Sequence, residues 1–340
     1  MSRPQPTNPR SYLLRLAALT AGVLTLVGAV NVSVDPYDAL GRNRIGIFLS
    51  GERLAKPEMV QHYPHDALLL GSSKVDYVDP RALSGYHFFN AALSAALPEE
   101  MRSFLEHHLA GTRAVLLGLD LYMWNESAFP YQAGDPFAPE ERLSFAGYVW
   151  SGDVLEASLR TVWRRLAGRP CHLRPSGQRC PEKDLRRHQA LRQLQTRRVF
   201  RVLREENYRD FHFSTARIRE MRRTKALLDA AGVRTVVFLN PLSRPVLGLI
   251  ERLQLRGQLE RLRRELRRVF PDLVDLSDSR WSDPSGFFRH DPYHYLPSTG
   301  AAFLNQLLEQ TLARATADPE HLPGPRTRRR GQGAREREIP

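Results

Sequence analysis

The chain has 340 residues and an ordinary 42% hydrophobic content, enough for one large α/β domain with extensions or two small domains, with a real core. Its formal net charge of +13 is local, since residues 160–225 hold 20 Lys+Arg against 6 Asp+Glu. A basic stretch suits nucleic acid, an anionic membrane surface or an acidic polymer, but an Arg-dominated, Ala- and Pro-rich composition also follows from a GC-rich genome, so charge alone names no partner.

Leu16 to Val34 carries no charge and is about long enough to cross a bilayer. Arg3, Arg10 and Arg15 precede it, and no acidic residue does. The positive-inside rule therefore predicts a cytoplasmic N-terminus over 1–15, a transmembrane signal-anchor over 16–34, and export of everything beyond. This topology predicts a single-pass membrane protein with its domain outside the cytoplasm. A cleaved signal peptide is the alternative, with a small-residue site at Val27-Gly28-Ala29. The apolar run continues past that site, which favours the anchor. Nucleic acid is not an expected partner of an exported domain without a recognition motif.

Asp35-Pro36-Tyr37 opens a linker running to about Gly51. Asp66 to Ser73 is an apolar run ending in small residues, which predicts a buried strand and a turn. Gly85–Asn90 reads as a second strand and Pro98–Ala110 as a helix, with Glu99 and Glu100 favouring its dipole. Arg113–Asp120 is a third strand, apolar throughout, as in a parallel sheet covered on both faces. Residues 126–213 break this rhythm and read as an insertion, helical from about Glu182 to Arg204. Its Cys171 and Cys180 are the only two cysteines. An exported location permits a disulfide closing a short, peripheral loop, and the absence of companion ligands argues against a metal site. The rhythm resumes with a helix over Ser214–Ala231 stopped by Gly232, a strand over Val233–Leu239, and a helix over Val246–Val269. A short strand at Asp272–Leu276 and a last helix capped by Ser298 and ending near Thr316 complete the domain. The basic tail over 317–340 is expected to be disordered. Alternating elements argue for an α/β, three-layer fold with a mostly parallel sheet.

Four segments carry possible chemistry: Gly71-Ser72-Ser73 after the first strand, Asn90 to Ala95 after the second, Gly118-Leu-Asp120 after the third, and Asp291-Pro-Tyr-His294 before the last helix. The carboxyl ends of strands are where open α/β sheets bind ligands. A Ser hydroxyl is a weak nucleophile and needs an adjacent base. A helical turn begun at Asp291 and Pro292 would bring Asp291 to His294, so that the carboxylate orients the imidazole. The plainer readings are a Ser that caps a helix and a polar loop that caps another. His62, His65, His107, His108 and His290 have no Asp at a motif spacing. Trp124-Asn125 either lines a site or packs under the insertion, and Tyr208, Phe211 and Phe213 are candidate glycan contacts.

In order and context these segments resemble the SGNH (GDSL-like) hydrolase superfamily, over roughly residues 45–125 and 214–316. The anchor and Asp35-Pro36-Tyr37 resemble its exported, membrane-anchored bacterial subgroup. The resemblance implies an SGNH-like domain over 35–316, no cofactor, and a triad of Ser73, Asp291 and His294. It implies an oxyanion hole from Ser73 and the positions of Ala95 and Asp120. Ser72 stands where the commonest pattern has Asp, Ala95 where it has Gly, and Asp120 where it has Asn. A carboxylate donates a hydrogen bond only when protonated, so Asn125 is the candidate replacement donor. The implied activity is a serine esterase or O-acyltransferase acting on an envelope glycan, and the basic charge suits an anionic one. The alternative is an inactive module that binds an envelope polymer or a membrane-bound acyltransferase.

Overall fold

The computed structural model describes residues 9–48, 51–138, 144–169 and 171–317; the expected tail lies almost wholly outside them. Helix α1 (Pro9–Val34) is near the N-terminus and is long and apolar enough to cross a membrane. Its buried residues are Gly28, Asn31 and Val34. The predicted linker is not a free spacer. Asp35 turns left-handed (φ 46°), and its carboxylate accepts from the N–H groups of Leu40 and Arg42 and from the Tyr148 hydroxyl.

After α2 (Glu52–His62) come β1 (Ala67–Gly71), the single turn α3 (Ser73–Asp76), β2 (Phe88–Asn90), α4 (Pro98–His108) and β3 (Ala114–Leu119). Glu100 closes the N-terminus of α4 by accepting from the Leu97 N–H at 3.0 Å, and Glu99 receives the buried guanidinium of Arg217. The two acids are thus tied to specific donors as well as to the helix dipole.

The insertion holds α5 (Phe145–Val149), α6 (Gly152–Leu166), α7 (Pro181–Leu191) and α8 (Gln193–Val202). The single helix expected over 182–204 is interrupted at Arg192 (φ 45°) and closes with a π-helical turn at Leu203–Asn207. Helix α9 (Thr215–Ala231) ends on Gly232 at φ 65°, as expected, although Ser214 makes no side-chain cap bond. Strand β4 (Arg234–Leu239) leads to α10 (Arg244–Arg252) and α11 (Arg256–Val269). These replace one predicted helix. Gln254 takes φ 57° while its N–H reaches Glu251 O and the N–H of Leu255 reaches Ile250 O. That is a Schellman ending without its usual glycine, so the break carries no residue signal.

Strand β5 (Val274–Asp275), an antiparallel pair β6 (Phe287–Phe288) and β7 (Asp291–Tyr295), and α12 (Pro297–Ala317) finish the domain. Ser298 lies inside the first turn of α12 rather than capping it. The five-stranded sheet has the order β2-β1-β3-β4-β5 and is parallel throughout. Alternate strand residues feed two cores. Leu68, Leu70, Val115, Leu117 and Val237 join the core that includes Phe104, Met221 and Leu262 of α4, α9 and α11. Leu69, Leu116, Val236 and Phe238 join Phe303, Leu304 and Leu307 of α12. Helices therefore cover both faces, as uninterrupted apolar strands require.

Candidate active site

The chain leaves β1 to build β2 on one side and returns to build β3 on the other. The gap between β1 and β3 is therefore the topological switch point, where an open α/β sheet presents a crevice at its carboxyl edge. Gly71 and Gly118 pair in register across it. A Cβ on either would stand 2.7 Å from Val75 Cγ2, so both glycines make room for the side chain that plugs α3 onto the sheet.

Ser72 takes the capping role: its Oγ accepts from the Lys74 N–H at 3.2 Å and donates to Asp120 Oδ2 at 2.6 Å. Ser73 is thereby left to face the site. Its Oγ lies 2.9 Å from His294 Nε2, and His294 Nδ1 lies 2.8 Å from Asp291 Oδ2. The predicted trio is brought together, but not by a helical turn, because Asp291 to Tyr295 is the strand β7. The Asp291 side chain folds forward because its Oδ1 accepts from the N–H groups of Tyr293 (3.1 Å) and His294 (3.3 Å), which turns Oδ2 onto the imidazole. Two further bonds seat β7, from Ser243 Oγ to Pro292 O and from the Tyr295 hydroxyl to Asn240 Oδ1. The Asp291 side chain is 4% exposed and that of His294 19%, so the carboxylate is sealed while the base meets solvent. A carboxylate on Nδ1 holds the proton there and leaves Nε2 to accept from Ser73.

Asp120 is engaged as an acceptor behind the Ser73 turn. It is buried and receives Ser72 Oγ, Asn240 Nδ2 at 3.0 Å and the Lys74 ammonium at 2.9 Å. Three donors leave it an acceptor. Burial pulls the Lys74 ammonium below the ordinary lysine range, and the carboxylates of Asp120 and Asp291 oppose that pull. Asn125 is also committed: its Nδ2 donates to Asn207 O and Arg209 O, and its Oδ1 accepts from the N–H groups of Ser127 and His212. It ties the insertion to the end of β3, and Trp124 beside it packs in the core. Tyr208 is buried, and Phe211 and Phe213 pack against the same core, so they do not form an open glycan platform. Ala95 is exposed at φ 53° and lines a separate hollow with Arg53, Leu97 and Phe129. The backbone N–H of Ser73, at the first position of α3, is another predicted donor, and such first-turn groups have no partner within the helix.

The disulfide between Cys171 and Cys180 is formed, with Cα atoms 6.0 Å apart. Its loop is not peripheral. Ser176 O accepts from the Asn90 N–H, Gln178 Nε2 donates to Tyr77 O, and the Arg179 N–H donates to Asp76 O. Arg179 also lies over the Tyr77 ring, whose edge meets the His294 ring at 5.6 Å between centroids. From the other side Asn90 Nδ2 bonds the carbonyls of Val75, Asp76 and Val78. The backbone just past the Ser73 turn is thus clamped twice. Below it, burial pushes the Asp76 carboxyl up to about 8, although Lys56 stands 2.6 Å away.

Two other Ser/His groupings lack this geometry. In Ser103, Asp135 and His107 the carboxylate sits between the other two, so the imidazole is not on the hydroxyl. His212 Nδ1 meets both Ser127 Oγ and the carbonyl of Asp210, which accepts the proton that a base would need to lack. Sequence reasoning missed Lys74, Asn240, Ser243 and the clamping loop. A charge of opposite sign just past each of two strand ends was the available signal for Lys74 and Asp120. The chain matches no family model and no curated protein.

Proposed function

We propose that the protein is an SGNH-type serine esterase or O-acyltransferase, anchored in the bacterial inner membrane by α1 and acting on an envelope glycan in the periplasm. The observation that carries this reading is the continuous chain from Ser73 Oγ through His294 to Asp291. In the first step His294 Nε2 takes the hydroxyl proton while Ser73 Oγ attacks the acyl carbonyl. The Ser73 N–H faces the developing oxyanion. Collapse expels the alcohol, which receives the proton from His294 and leaves an acyl-Ser73 ester. Water or a glycan hydroxyl then attacks that ester by the same relay, giving hydrolysis or transfer.

The retained anchor is supported by two features. Helix α1 runs unbroken through Val27-Gly28-Ala29. Gly28 also packs against Val149 and Trp150 of the folded domain. A fluorophosphonate probe applied to membranes carrying the full chain tests the enzyme reading. Label on Ser73, lost in Ser73→Ala and His294→Ala, is expected. An unlabelled wild-type protein would overturn it in favour of a binding module for an envelope polymer or a membrane acyltransferase.

A further inference from the structure

Helix α6 has a buried side and, apart from it, an exposed apolar one. Val154, Ala157, Ser158 and Thr161 are buried, and Ser158 Oγ donates to Asn31 Oδ1 of α1 at 3.1 Å. Leu159, Trp163 and Leu166 are 57%, 52% and 82% exposed, and they recur at i, i+4 and i+7, a single stripe along the helix. Phe145 at the start of α5 and Trp150 just after it are 65% and 53% exposed. An exposed group of two Trp, one Phe and two Leu on a soluble surface marks a contact. Arg160, Arg164, Arg165 and Arg169 flank it, and the Arg169 guanidinium lies 4.5 Å from the Trp163 ring centroid.

The position of Trp150 points to what covers these residues. Trp150 lies against Gly28, and the residues of α1 just before Gly28, Val23, Leu24 and Leu26, are exposed and apolar. The apolar surface of the anchor therefore meets Trp150, at the end of α5. At 1.5 Å per residue Gly28 lies roughly 9 Å below the end of α1. That depth is the boundary between headgroups and acyl chains, where amphipathic helices lie and where Trp concentrates. Arg on either side of such a helix can extend its charge to lipid phosphates.

We infer that α5 and α6 form a second membrane contact, an interfacial platform whose Phe145, Trp150, Leu159, Trp163 and Leu166 sit in the outer leaflet of the bilayer that α1 crosses. This rests on α1 spanning the membrane. The anchor contains no Trp, so Trp emission reports the platform separately. The test uses the full chain in vesicles of phosphatidylcholine with phosphatidylglycerol, with or without bromine on the acyl chains. Brominated lipid is expected to quench emission, and the quenching is expected to be lost in Trp150→Phe/Trp163→Phe but kept in Trp281→Phe. Protein that floats with the vesicles after a carbonate wash yet shows no quenching, with Trp150 and Trp163 open to aqueous iodide, overturns the platform and leaves the anchor intact. Protected from both quenchers, those Trp residues would point to a protein partner, which overturns it equally. Failure to float removes the anchor reading and the platform with it.

Discussion

The ammonium of Lys74, the residue after Ser73, and the carboxylate of Asp120 meet at 2.9 Å just beyond β1 and β3, both shut away from solvent. A buried pair of this kind is costly to break, because removing one partner strands the other charge. Asp120→Asn is therefore expected to destabilise the protein by about 3–5 kcal/mol and not to raise esterase activity. Unfolding of the detergent-solubilised chain measures the first and turnover of an aryl acetate the second. Lys74→Met in the same chain should recover part of the loss. A stable, faster Asp120→Asn enzyme would return position 120 to the oxyanion hole.

Asp291 both orients His294 and accepts two backbone N–H groups. Asp291→Asn keeps the shape but presents the wrong partner to Nδ1, so turnover should fall by about 10⁴ while the fold survives. Ser73→Ala should remove acyl transfer altogether. Equal activity in wild type and Asp291→Asn would show that His294 needs no carboxylate.

Loss of the Cys171–Cys180 bond opens a loop of only nine residues' separation, worth about 2–3 kcal/mol in the chain-entropy account. The larger effect should be on rate, since Gln178 and Arg179 hold the carbonyls of Tyr77 and Asp76. Cys171→Ser/Cys180→Ser is expected to lose more activity than its melting point predicts at a temperature where it remains folded. Full activity there would make the loop a mere staple.

A methyl group at position 118 would stand 2.7 Å from Val75 Cγ2 and 2.9 Å from Phe238 Cζ. Gly118→Ala should cost about 1–3 kcal/mol through overpacking, and Val75→Ala added to it should relieve part of that cost. Two independent, additive losses in a double-mutant cycle would deny the contact.

What was readable in the chain is what is local. The apolar strands β1, β3 and β4, the Gly-Ser-Ser turn and the Asp291/His294 spacing need only near neighbours. Lys74 with Asp120 needed the knowledge that β1 and β3 are adjacent, which no single segment states. The helix break at Gln254 lacked its glycine, and Asp291 reached His294 through backbone bonds rather than a helical turn. The Cys loop looked peripheral because its partners, Tyr77 and Asn90, are some 80 to 100 residues earlier in the chain.

Asn31 reaches across from α1 to the carbonyls of Val149 and Ser151, and Asp35 accepts the Tyr148 hydroxyl one turn later. With α1 in a bilayer, this is a rigid mount and not a leash. The domain would keep one face toward the membrane and sweep a plane as the anchor diffuses, instead of sampling a volume around a flexible stalk. Encounter would then be a two-dimensional search, and a ligand would be met according to the distance from the membrane at which it is displayed.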